Sequence, residues 1–172
     1  MRTRVLLLLA LTWGLAQADE GNPKIDYTGF KKLVAEGESV RAKRRVTEAE
    51  FLRMAGEKGT IALDTRSKAK FDKIHVRRAL HLNFSDFTDT TLAKLIPDKD
   101  TRILIYCNNN FEGERVNFES KRRPVALNIP TFLNLHAYGY TNIFELKPLL
   151  NIKTTKIPFE GSAVKVTDSQ QA

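Results

Sequence analysis

Cysteine occurs once in this 172-residue chain, at Cys107, so no disulfide can close within it. Histidine is almost as scarce: His75, His81 and His136 show no ligand spacing among themselves or with Cys107. That excludes the familiar zinc sites, and no metal or other cofactor is expected. Glycine-rich phosphate loops of the usual patterns are missing, and no internal repeat is visible. The apolar run of residues 5–11 is too short to span a bilayer.

That run has a different meaning in its setting. Arg2 and Arg4 precede it, and Ala16-Gln17-Ala18 closes it with the small-x-small pattern of a cleavage site. Residues 1–18 are therefore read as a signal peptide cleaved after Ala18. The expected location is secreted or periplasmic, with no stable membrane anchor after cleavage. Loss of Arg2 and Arg4 takes the formal charge from +8 to +6. A basic exported chain suits small anions, acidic polymers or an acidic partner rather than nucleic acid. The run Arg41-Ala42-Lys43-Arg44-Arg45 reads as a solvated face. In an oxidising compartment Cys107, lacking a partner, must be shielded, kept reduced, joined to another molecule, or used.

With 42% hydrophobic and 28% charged residues, the chain fits one ordinary domain with a real core. An extension over residues 19–43 carries a short helix at 27–36, closed by Gly37. Thr47-Glu48-Ala49-Glu50 is a capping box that predicts a helix over 48–55. Strands are predicted at 60–64, 79–82, 102–106 and 142–146. Between them fall a turn or short helix at 68–74 and a short helix at 91–96 stopped by Pro97. A further helix runs into Gly139, starting either at Asn128, which places Pro130 in its first turn, or near Val125 with a kink. Residues 148–151 read as a closing turn, and 161–172 as a loose tail within a terminal stretch of 152–172. Strand and helix alternate through residues 46–150, which predicts an α/β domain with a largely parallel sheet.

Candidate chemistry centres on Cys107. The run Arg102-Ile103-Leu104-Ile105-Tyr106 shows no polar alternation, as expected of a strand buried on both faces, and Cys107 follows at its carboxyl end. Open α/β sheets bind ligands beyond the strand tips, so a soft nucleophile there is a candidate site. A packing cysteine is the plainer alternative. Asn108, Asn109 and Asn110 are candidate substrate donors, or plain turn formers. Residues 108–123 form a long connection that is either functional or mobile, and its Arg115, Lys121, Arg122 and Arg123 are candidate cations. Asp64 and Arg66 end another strand as an ion pair or turn bonds. His75, between Ile74 and Val76, reads as a satisfied, partly buried side chain.

Four segments give these pieces a family resemblance. They are Leu63-Asp64-Thr65-Arg66, Phe71 with His75-Val76 and Ala79, Ile105-Tyr106-Cys107, and the closing Gly139-Tyr140-Thr141-Asn142-Ile143-Phe144-Glu145-Leu146. In this order and spacing the chain resembles the rhodanese-like domain family across residues 44–151. The resemblance implies a central, mostly parallel five-stranded sheet flanked by helices. It further implies a sulfurtransferase in which Cys107 takes sulfur from a small anionic donor such as thiosulfate and passes it to a thiol or cyanide-like acceptor. Asn108, Asn109, Asn110, Arg115 and Arg122 would bind the donor, and Asp64, Arg66 and His75 would support the loop. The sequence departs from the family pattern in several places. Ile74 and Arg78 stand where glycines are usual, Lys147-Pro148 replaces a Gly-Gly, and about twenty residues separate Cys107 from the next helix. A related phosphatase would need an arginine where Gly113 stands. The competing readings are a binding module that recognises a protein partner through the long loop, and a thiol redox sensor.

Overall fold

The structure is a computed structural model that describes residues 21–164. The signal segment read over residues 1–18 and the chain beyond residue 164 lie outside the described residues. In chain order the elements are α1 (Tyr27–Ala42), β1 (Arg45–Val46), α2 (Glu48–Ala55), β2 (Thr60–Asp64), α3 (Lys68–Lys73), β3 (His75–Val76) and β4 (Leu80–His81). Then come α4 (Asp89–Leu95), β5 (Arg102–Tyr106), β6 (Phe111–Glu112), α5 (Asn128–Ala137), β7 (Ile143–Leu146), β8 (Leu150–Asn151) and β9 (Phe159–Glu160). No helix among the described residues is long and apolar enough to cross a membrane.

Five strands form one all-parallel sheet in the order β1-β7-β5-β2-β4, flanked by helices. β5 takes the centre because it is apolar on both faces. Ile103 and Ile105 pack with Leu63, Phe132, Leu135 and Ile143 on one side, and Leu104 and Tyr106 with Phe51, Ala62 and Leu146 on the other. Each fully buried aliphatic contributes about 1.5–3 kcal/mol, enough to fix both the strand and its place. The capping box forms as the sequence predicts: the Glu50 carboxylate accepts from Thr47 N–H at 2.8 Å, and Thr47 Oγ1 accepts from Glu50 N–H. Gly139, at φ +85°, ends α5. Its N–H donates to His136 C=O while Tyr140 N–H donates to Leu135 C=O, the paired bonds of a left-handed helix stop.

Three expectations need correction. Gly37 does not close the first helix, which runs on to Ala42. A Cβ at Gly37 would lie 2.4 Å from Leu133 Cδ2, so this glycine serves the close packing of α1 on α5 rather than a helix end. The segment read as a closing turn contains β8, which pairs with β6 of the long connection, and Phe111 and Phe118 of that connection form an aromatic cluster with Phe159, ring centroids 4.8–5.9 Å apart. The C-terminal stretch is docked at least to Val164. β9 pairs antiparallel with β3, and Ser162 and Ala163 donate backbone bonds to Asp72 and Lys73. The long helix starts at Asn128, so Pro130 falls in its first turn, where the missing N–H costs nothing.

Candidate active site

Cys107 sits one residue past β5, at the head of a 3-10 turn over Asn108–Asn110, and is 1% exposed. Its backbone N–H donates to Asn110 Oδ1 at 2.9 Å. Backbone amides of Asn109, Asn128 and Leu127 donate toward its sulfur, the last two from the start of α5. The long connection thus leaves the cysteine and returns a helix N-terminus to it, where partial positive charge favours an anion. Burial is the larger influence: it pushes the Cys107 thiol above its ordinary pKa, the Asn109 and Asn128 amides pull the other way, and the charge of Glu145 adds to the rise.

Cys107 lines a cavity of about 230 Å³ rimmed by Arg41, Arg45, Arg123, Lys147 and Glu145. The Glu145 carboxylate is gripped by Arg41 through Nε (2.5 Å) and Nη2 (2.7 Å), with Arg45 Nε at 3.6 Å. Asn128, also on the wall, donates Nδ2 to Asn110 Oδ1 and leaves its own buried Oδ1 without a hydrogen-bond partner. Two larger hollows, of about 540 and 500 Å³, do not reach the cysteine.

The residues expected to bind a donor are differently placed. Asn108 donates to Glu119 C=O, Asn109 exchanges two bonds with the Lys121 backbone, and Asn110 spends its amide on Leu146 and Pro148 carbonyls. Their side-chain amides stitch the connection down rather than present themselves to a substrate, although Asn109 and Asn110 do line the cavity. Arg115 lines the 540 Å³ hollow, and Arg122 caps the 3-10 turn at Arg123–Val125; neither reaches the Cys107 cavity.

Among the supports, Asp64 and Arg66 form a buried pair at 2.6 Å that also ties the connection, Arg66 Nη1 donating to Asn117 C=O. His75 instead stacks on Phe71 at 3.7 Å and meets Glu160 at 3.1 Å, holding the C-terminal strand rather than the loop. Sequence reasoning missed Arg41, Arg45, Lys147 and Glu145. The signal was a carboxylate inside the otherwise apolar Ile143-Phe144-Glu145-Leu146 strand, which demands a buried cation, and a basic run close to another strand in the sheet.

A thiol at the tip of the central strand of a five-stranded parallel sheet, met by the N-terminus of the following helix, defines a class of α/β domain. The chain belongs to the rhodanese-like domain family, whose family model matches residues 47–147. The chain is similar in structure to the BH2092 protein of Bacillus halodurans, with a TM-score of 0.52, 15% identity, and 77% of this chain and 88% of that one covered. It is also similar to the rhodanese-like domain of the Alr3790 protein of Anabaena sp., with a TM-score of 0.47, 22% identity, and 70% and 80% covered. A thiosulfate sulfurtransferase of Pseudomonas aeruginosa matches at a TM-score of 0.47 and 15% identity, over 75% of this chain and 23% of that one. A search of curated proteins returned no match.

Proposed function

We propose that this rhodanese-like protein is an exported sulfurtransferase that carries sulfane sulfur as a persulfide on Cys107. The observation that carries the reading is the convergence of the Asn109 and Asn128 amides on the sulfur at a cationic cavity. The thiolate attacks the outer sulfur of a thiosulfate-type donor. A new S–S bond forms at Cys107, the donor's S–S bond breaks, and sulfite leaves with the electron pair. A thiol or cyanide-like acceptor then attacks the terminal sulfur, and the Cys107 thiolate returns. The amides that stabilise the thiolate serve it again as the leaving group of the second step.

A second reading draws on one observation: the thiol is buried and held above its ordinary pKa, as in a rhodanese-like binding module or a thiol sensor without turnover. Incubation with thiosulfate separates them. The expected result is a mass gain of one sulfur on Cys107, reversed by cyanide. An unreactive thiol with no adduct at any pH assigns the binding module, and a mixed disulfide in freshly isolated protein assigns the sensor.

A further inference from the structure

We propose that Glu145, held by Arg41 from outside the matched domain, sets how much positive charge the Cys107 cavity presents, and so discriminates between anionic and neutral reagents that reach the sulfur. The inference deepens the sulfur-transfer reading and rests on Cys107 being the reacting group.

The sheet register places the carboxylate. Glu145 on β7 is the register partner of Ile105 on β5 and of Arg45 on β1, so the three residues lie in one row across three strands. In a strand the next residue on the same face lies two positions on, and from Ile105 that residue is Cys107. Glu145 is therefore a diagonal neighbour of the cysteine across two adjacent parallel strands, and both line the same cavity.

Four cations face one carboxylate around this cavity, and they are not equivalent. Arg41 commits Nε and Nη2 to the two oxygens of Glu145, and Arg45 approaches within 3.6 Å. Arg123 and Lys147 have no carboxylate partner among the described residues. An incoming anion is thus met in full by two of the cations. The other two meet it only to the extent that it outcompetes Glu145, whose side chain is 4% exposed and cannot turn away into solvent.

Glu145 acts here as a built-in competitor for its arginines. It lets a cluster of cations stand in a confined space without binding any passing anion tightly. Arg41 lies in α1, outside residues 47–147, so the extension takes part in the site rather than merely flanking the domain.

The test uses two alkylating probes of similar size, iodoacetate and iodoacetamide, on the full chain. Both react with the thiolate alone, so the thiolate fraction cancels in the ratio of their rate constants, and the ratio reads the field that an incoming anion feels. Glu145→Gln, equal in shape to the native side chain, raises the iodoacetate to iodoacetamide ratio on the order of tenfold, the size expected of removing one negative charge from the wall of a confined, partly solvated cavity. Arg41→Gln lowers it several-fold. A purely packing role would move both reagents together and could not push the two variants in opposite directions. A ratio unchanged in Glu145→Gln, or no labelling of Cys107 by either reagent, overturns the inference. The two readings fail separately. Thiosulfate uptake with an unmoved ratio removes only the role of Glu145, and a moved ratio without a persulfide removes only sulfur transfer.

Discussion

Two arginine–carboxylate pairs sit at the carboxyl ends of the sheet strands, and they do opposite work. Asp64 and Arg66 are sealed, with side chains 0% and 1% exposed. Asp64 accepts from Arg66 N–H, Nε and Nη2 and from the Tyr106 hydroxyl at 2.6 Å. Arg66 gives its remaining reach to the Ile74 and Asn117 carbonyls and lies 4.3 Å over the Phe118 ring. Burial alone would weaken its hold on the proton, but the bonds and charge of Asp64 keep the guanidinium above its ordinary pKa. In the other pair Glu145 is equally buried, whereas Arg41 and Arg45 are 25% and 37% exposed and border the Cys107 cavity. A pair whose every guanidinium nitrogen is engaged can only hold structure. A pair with cations still open to solvent can be felt by a ligand.

The contrast predicts unequal costs. Arg66→Ala leaves Asp64 charged and uncompensated in the interior and unpins the connection at Asn117, so stability falls by about 3–5 kcal/mol. Urea unfolding checks this, and a loss under about 1 kcal/mol would put the sealed pair on the same footing as the open one. Glu145→Gln is expected to cost about 1 kcal/mol in the same assay, since Arg41 and Arg45 keep access to water. A loss above about 3 kcal/mol there would make the rim pair structural too.

The same contrast explains what could be read from the sequence. β5, β2 and the capped α2 were legible because their signals are local: an unbroken apolar run, a second one ending on Asp64, and a Thr47–Glu50 box. The place of Cys107 at the tip of a central strand was legible for the same reason. Its surroundings were not, because Arg41 meets Glu145 across 104 positions and only the register of β1, β7 and β5 brings them together. The charges on the long connection drew attention by proximity in sequence, yet Arg115 and Arg122 lie away from the cavity while Arg123 lines it. That the connection is ordered was equally hidden, since Phe111 and Phe118 find Phe159 some forty residues later. Arg78 is a case where the substitution conceals the rule. It adopts φ 65° in the place of a family glycine, so the backbone keeps the turn that the residue type does not advertise.

The two pairs also differ in what they do to the thiol, and pH exposes that. Burial, with the charge of Glu145, holds the Cys107 pKa above the value of about 8.5 expected in the unfolded chain. On raising pH the unfolded state then releases its proton first and binds fewer protons than the folded state. Stability that is whole below the unfolded pKa is accordingly lost as pH climbs through the folded one, at no more than about 1.4 kcal/mol per pH unit. The measurement is the stability of the native chain minus that of Cys107→Ser, taken at neutral and alkaline pH. The difference should shrink with pH, and a difference that grows would mean a thiol lowered by its amides and cations instead. Glu145→Gln should weaken this alkaline loss, because it removes one of the causes of the rise. Tyr106→Phe, which costs about 1–3 kcal/mol by stripping a hydrogen bond from the sealed pair and orphaning Val76 N–H, should leave the loss as it was.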